Sequence, residues 1–420
     1  MKRFRLKPLK KSVYLGCALV GGASAAFAQD PATMNKLEAE NADLKRRLDA
    51  LEQYMQKEGI MPSSGAATTH AVSALSEIKL SGFVTASYFY DTSNPPNQTP
   101  PGYLWNRTMN SFWLNKVKLT LESPEVDRDK WDAGYKVSFI FGQDAPIVDT
   151  VPITDSSGDT VATPIREAYV QLNVPIGTGL DVKFGQLISL LNFESGDGGA
   201  VNPNFSQGNQ WYFTGNPPST GLQLGYQFDE MFSAKVRVQN GMFTGSVDDD
   251  SFKTLMGSFG ITPDKKTSIN LIGFGGRESG ASTAGDWLMG GSLIASRQLC
   301  EKYNVNVATE FDYFNQGRPV GAANWWSIGG WVWMDFTPKI GIAFRADYLS
   351  DPDGYATSNQ LGFPANSGQD IYSLTFTVNW TPVPSLKIQP EIRYEHTTLQ
   401  NGFGTQQDRV VLGAGASYLF

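Results

Sequence analysis

The sequence predicts an all-β fold, a transmembrane antiparallel β-barrel of about sixteen strands preceded by a short amino-terminal coiled-coil helix. Three observations predict it. From Ile78 to Phe420 apolar and polar side chains alternate with period two. The connections between these runs alternate between long and short, as they do when one rim of a barrel carries turns and the other loops. After the first thirty or so residues no apolar run is long enough for a spanning helix of about 20 residues.

Taken in order, residues 1–28 read as a cleaved secretory signal. Lys2, Arg3, Arg5, Lys7, Lys10 and Lys11 precede a short apolar stretch from Val13 to Phe27, and Ala26-Phe27-Ala28 supplies the small-residue cleavage site before Gln29. Cys17 is a poor lipidation site, because Tyr14, Leu15 and Gly16 do not make a lipidation box. In residues 29–58, Met34, Asn41, Leu48 and Met55 form one heptad register and Leu37, Leu44 and Leu51 the other. Isolated helices this short are marginal without a partner. The segment is therefore read as an oligomerising coiled coil, trimeric by first expectation, or as one amphipathic helix lying against another surface. Residues 59–76, rich in Gly, Ser, Ala and Thr, read as a linker. Residues 77–420 form the barrel.

Within the barrel the split between faces is clear. In Tyr303–Tyr313 one face carries Tyr303, Val305, Val307, Thr309, Phe311 and Tyr313, the other Asn304, Asn306, Ala308, Glu310 and Asp312. The pattern recurs in Trp131–Phe141, Tyr372–Trp380 and Leu386–Glu395. In Tyr372–Trp380, eight residues at about 3.3 Å each, tilted by about 40°, set Tyr372 and Trp380 roughly 20 Å apart along the membrane normal, near the height of two interfacial girdles. Short connections are read at 176–179, 229–230, 263–266, 338–339 and 382–385, long ones at 91–111, 142–164, 189–220, 350–369 and 398–407. The first connection is long, which puts both termini at the short-turn side with an even number of strands. Strands with an apolar outer face must close, since hydrocarbon leaves no partner for an open edge. The chain ends on a lipid-facing row from Val410 to Phe420, and the terminal Phe resembles the assembly signal of outer-membrane proteins.

Composition narrows the function. The formal net charge is −7 and loses its basic leader on export, so nucleic-acid binding is excluded. Charged residues make up 18% and Gly counts 43, against roughly 25% charged in ordinary soluble domains. Cys300, read as lying in a turn, is the only cysteine left after cleavage, so no internal disulfide stabilises the exported chain and no zinc site is expected. With His70 and His396 the only histidines, and no G-x-S-x-G elbow, no catalytic residue, cofactor or metal is expected.

Alternation places charges on the inner face. Lys116, Lys118, Lys136, Lys183, Lys235 and Arg237 come early; Glu310, Asp312, Arg345, Asp347, Lys387, Glu391 and Arg393 come later, with a larger acidic share. Such a lumen sorts solutes by diameter and charge. Opposite walls of opposite sign would impose a transverse field. The plainer reading is cross-strand pairing that keeps the lumen wet. The longest connection, Ser189 to Thr220, carries Glu194 and Asp197 and is expected to fold inward as a constriction, or else to pack over its neighbours outside.

The order of features resembles the OmpL-like outer-membrane β-barrel porin family. The resemblance rests on Ser81-Gly82-Phe83 to Tyr90, on Phe112, Leu114 and Asn115 with the run to Glu122, on Trp131–Tyr135 followed by Phe141–Asp144, on Arg166–Tyr169, and on Gly185 with Glu194–Ser206. It implies passive permeation of small hydrophilic solutes or ions, with outer-membrane lipid as surroundings and a homo-oligomer as the assembly. The amino-terminal heptads are also similar to those of trimeric sugar- and phosphate-selective porins, without the lysine and arginine ladder that would point to phosphate. Alternatives from other classes are a barrel that serves as adhesin or anchor without an open channel, a soluble periplasmic β-protein, and an outer-membrane enzyme resting on His396.

Overall fold

The computed structural model describes residues 78–145, 153–154, 160–161, 165–243, 251–278, 286–318, 321–359, 362–364 and 367–420, together with Arg46, which is helical. The expected signal, coiled coil and linker otherwise lie outside the described residues. Sixteen antiparallel strands close into a barrel. They are β1 (Lys79–Asp91), β2 (Ser111–Glu122), β3 (Asp132–Phe141), β4 (Ile165–Val174), β5 (Leu180–Leu187), β6 (Ser219–Gln227), β7 (Phe232–Gln239) and β8 (Thr254–Asp264), then β9 (Thr267–Glu278), β10 (Asp286–Cys300), β11 (Val305–Gly317), β12 (Ala322–Thr337), β13 (Ile340–Asp351), β14 (Gln369–Val383), β15 (Leu386–Thr397) and β16 (Asp408–Leu419). A two-residue ladder, Ile153–Thr154 with Thr160–Val161, sits in the connection after β3. Each barrel strand pairs with its sequence neighbours, and β1 pairs with β16.

The outer face is what period-two strands rich in aromatic and branched residues should give. On β11, Phe311 and Tyr313 are exposed while Glu310 and Asp312 between them are buried. Aromatic rings cluster on the outside at both rims. Trp131, Phe228, Tyr303, Phe336, Trp380 and Tyr418 mark the short-turn rim. Tyr88 against Phe112, Trp326 against Tyr348 and Tyr372 against Tyr394 mark the loop rim. These are the two girdles expected of a sheet whose outer face meets lipid.

The barrel closes along nine paired residues of β1 and β16, from Phe83–Leu419 to Asp91–Val411, and Phe420 extends this seam. Gly82 N–H donates to the Phe420 carbonyl at 2.9 Å and Phe420 N–H to the Gly82 carbonyl at 3.0 Å. Glycine is required here, because a Cβ on Gly82 would lie 2.1 Å from the Lys118 carbonyl oxygen and 2.9 Å from the Phe420 ring.

Several boundaries differ from the sequence reading. Cys300 ends β10 beside a register shift and is not in a turn. Pro263 and Pro382 lie inside β8 and β14 at register shifts, where a residue without an N–H costs no ladder bond. Tyr303 stands in a turn before β11. Pro390 does lie within β15; the ladder to β14 passes from Thr377–Glu391 directly to Trp380–Ile388, skipping the pairs beside it.

Inside, the loop end of the barrel is not a wet void. Inward residues near that rim (Phe89, Met256, Ile272, Phe274, Phe314, Trp325, Leu349 and Ile371) are buried with Met242, Phe213, Phe363 and Phe403 from the connections. Phe314 stacks on Trp325 at 5.0 Å, and Trp325 on Tyr355 of the short helix α2 (Tyr355–Asn359) at 5.4 Å. Polar-in alternation therefore fails where loops pack into the mouth.

Candidate functional site

The connection 188–218, between β5 and β6, runs into the barrel interior. Its path is set locally. Ser189 Oγ accepts from the Leu191 N–H at 2.9 Å, and Asn192 takes a left-handed φ of 76°. Ser195 and Asn202 exchange two hydrogen bonds, Ser195 N–H to Asn202 Oδ1 and Asn202 Nδ2 to the Ser195 carbonyl, both 2.9 Å. They pinch off a tight turn that holds Asp197 and Gly198, whose φ of 71° favours glycine. The helix α1 (Asn209–Thr214) is too short to stand alone. The wall holds it: Asn209 N–H donates to Asp347 at 3.2 Å, and Gln210 Nε2 and Thr214 Oγ1 donate to Asp312 at 2.8 Å each.

Most later members of the expected inner-face set meet this loop. Arg345 bonds Glu194 at 2.7 Å and Asp347 at 3.3 Å, all three buried. Glu194 also accepts from Trp331 Nε1 at 3.1 Å and Gly208 N–H at 2.7 Å. Glu310 accepts from Phe193 N–H at 2.8 Å. Glu391 accepts from Phe205 N–H at 2.7 Å and from Ser206, while Arg393 donates to the Gln207 carbonyl at 2.6 Å. Lys387 donates to the Gly199 and Asn202 carbonyls at 3.0 and 2.7 Å. The Phe205 ring stacks on Phe89 at 5.4 Å in a notch at Gly415, where any Cβ would meet the ring at 1.9 Å. The four acidic groups Glu310, Asp312, Asp347 and Glu391 thus face the loop and are at most 5% exposed. They do not present a charged wall to open space.

On the side of β2 to β7 the picture differs. Lys118 binds Asp197 of the loop at 2.5 Å, and Arg166 stands 4.0 Å from the other oxygen. Burial alone would raise the Asp197 carboxyl, but Lys118 and Arg166 outweigh it and hold it below the usual aspartate range. Lys116 is buried against Asp144 at 3.6 Å. Lys136 meets Glu167 at 3.2 Å and Lys183 meets Asp181 at 3.9 Å, both lysines partly exposed. Lys183, Gln223 and Arg237 occupy one row across β5, β6 and β7. Arg237 donates to Gln223 and to the Ile188 carbonyl, while Lys235 on the next row is exposed.

Two features were hidden from a period-two count. A bulge at Asn115 in β2 and another at Arg166 in β4 each turn two consecutive residues inward, Asn115 with Lys116 and Arg166 with Glu167. The connection 92–110 also folds in. Tyr103 donates to Glu395 at 3.1 Å, beneath Arg393 and Arg409 at 5.1 and 5.0 Å from its ring. Burial pushes the Tyr103 phenol well above its ordinary range, so it remains a donor. Arg409 completes the cluster with Glu395 at 2.7 Å and Asp91 at 3.7 Å. The only sequence signal for this was Tyr103 and Trp105 in a loop otherwise rich in Pro and Asn. His396 lies at the loop rim, stacked on Tyr372 and 2.8 Å from Asp408. Among the described residues no three of His, Cys, Asp and Glu are grouped as a metal would need.

Comparison with solved structures finds the same barrel. The anion-selective porin from Comamonas acidovorans aligns with a TM-score of 0.54 at 10% identity, covering 82% of this chain and 99% of that one. The trimer form of OmpT, an outer membrane protein of Vibrio cholerae, gives 0.53 at 10% over 82% and 99%. The outer membrane channel DcaP of Acinetobacter baumannii gives 0.52 at 16% over 82% and 97%. At these identities the likeness is one of fold. No curated protein matches the sequence. A family profile, "Putative beta-barrel porin-2, OmpL-like", matches residues 77–420. With the closed sixteen-strand sheet, the two aromatic girdles and this match over the whole barrel, the chain belongs to the OmpL-like β-barrel porin-2 family of the outer membrane.

Proposed function

We propose that this porin passes small hydrophilic solutes and ions by passive diffusion, with anions favoured, along the interior left between the loop 188–218 and the wall from β2 to β7. One observation carries the charge preference. The acidic groups of the far wall are engaged by the loop, whereas Lys136, Lys183 and Lys235 keep contact with solvent on the near side. In a narrow, low-dielectric passage such an imbalance concentrates counter-ions. The loop is the constriction, with Glu194 and Asp197 as its anchors rather than its filter. No catalytic group is needed, and the reading is of a channel and not an enzyme.

The test is a planar-bilayer recording in a potassium chloride gradient. The expected reversal potential has the sign of chloride permeation, and Lys183→Glu with Lys235→Glu moves it toward cation preference. A second reading, a barrel that anchors or adheres with its lumen closed, is favoured by how completely the connections 92–110 and 188–218 pack inside. Absence of conductance from correctly folded protein would establish that reading instead. We further propose a homotrimer, supported by the trimer form of OmpT among the similar folds. Light scattering in detergent, reading three chains per particle, checks it.

A further inference from the structure

Above the loop lies a cavity of about 710 Å³, within the roughly 300–1,000 Å³ typical of sites for small organic ligands. It is bounded by the connections 92–110 and 188–218 at the loop rim, with Arg166 from the start of β4. Its walls are largely aromatic: Tyr103, Trp105, Phe193, Trp211 and Phe243. Trp105 and Trp211 stand 5.8 Å apart between centroids, tilted by 36°.

The polar groups in this wall are unbalanced. Trp105 Nε1, Arg166 Nε and Asn192 Nδ2 are buried N–H donors with no hydrogen-bond acceptor among the described residues. The Trp105 and Arg166 side chains are at least nine-tenths buried. The one acid in the lining, Glu194, has both oxygens engaged, by Arg345 and Trp331 on one and Gly208 on the other. Asp197 binds Lys118 through one oxygen at 2.5 Å and keeps the other 4.0 Å from Arg166 Nε, beyond hydrogen-bond reach. The three residues that carry these donors line the cavity; buried donors without acceptors are costly, and a ligand that brings oxygen atoms would match them.

We propose that this cavity binds an organic anion, a carboxylate carried on a flat aromatic body, at the mouth of the passage. Arg166 and the Trp105 and Asn192 N–H groups take the carboxylate, since a guanidinium edge matches its two oxygens. The ring of the ligand lies among Trp105, Trp211 and Phe193. The inference deepens the anion-channel reading by naming a substrate class, yet binding can be measured without conduction.

The experiment is calorimetric titration of the folded porin in detergent with sodium benzoate, alongside acetate, which lacks the ring, and benzyl alcohol, which lacks the charge. Saturable benzoate binding is expected, with acetate and benzyl alcohol at least about tenfold weaker. Arg166→Gln should weaken benzoate about tenfold or more, as loss of a charged hydrogen bond does. Trp105→Phe keeps a ring but deletes one donor, and should weaken it several-fold even if the Arg166 variant folds poorly. No saturable benzoate binding, or equal affinity in the wild type and Trp105→Phe, overturns the proposal. Intact binding in a protein that conducts nothing would overturn the channel reading alone.

Discussion

At the scale of residues, the interior is governed by charges that have little water to fall back on. Arg345 is fully buried with Glu194 and Asp347; a buried charge left unpaired costs about 3–5 kcal/mol, and losing Glu194 costs less than that because Asp347 remains 3.3 Å away. Glu194→Gln should therefore lower the unfolding temperature in detergent and, by loosening the loop, raise single-channel conductance. Asp197 gives a pH dependence of definite sign. Its folded pKa is depressed, so the stability it lends the loop is complete above the ordinary aspartate value of about 3.9 and is lost as the pH falls through the lower folded value. Conductance recorded from pH 7 downward should stay level and then change below about pH 4, and Asp197→Asn should abolish that step. An unchanged acid step in Asp197→Asn would assign it to another group. The inner-face residues were legible because charge at period two in a lipid-facing strand has only one place to go. Arg166 and Asn115 were not, because a one-residue bulge reverses the count without leaving a mark in the sequence.

At the scale of elements, the strands were legible from alternation and the turns from Pro, Gly and Asp, while the destination of the loops was not. Nothing in the composition of 188–218 says that Phe205 will find a notch at Gly415, nearly the whole chain away. Long-range contacts of this kind are fixed by shape and not by period. Two predictions belong here. Deleting Gly196–Gly199 removes Asp197 and one of the two carbonyls that Lys387 holds, so single-channel conductance should increase; an unchanged value would count against a constriction. At the seam between β1 and β16, Gly82→Val places atoms on the Lys118 carbonyl and the Phe420 ring. That variant should lose most of its folded, heat-modifiable form on gels, whereas Gly321→Ala, which meets nothing within 4 Å, should keep it despite a small cost for its φ of 75°.

At the scale of the whole molecule, the exposed outer rows of Phe311, Leu374, Phe376, Ile392 and Leu412 require an apolar solvent. The purified barrel should stay folded only with lipid or detergent, and a folded, dissolved chain without either would contradict the architecture. About sixteen strands could be read in the sequence because connection lengths alternate. The partial filling of the mouth could not, since it depends on apolar residues such as Phe314 and Trp325 that sit on the expected wet face and are buried only by loops.

The bulges in β2 and β4 carry a consequence for how such a protein can change. Each admits one additional inward side chain without moving any neighbour off the hydrocarbon-facing row. Selection acting on cargo and selection acting on membrane fit therefore touch separate positions there, and one can drift while the other holds.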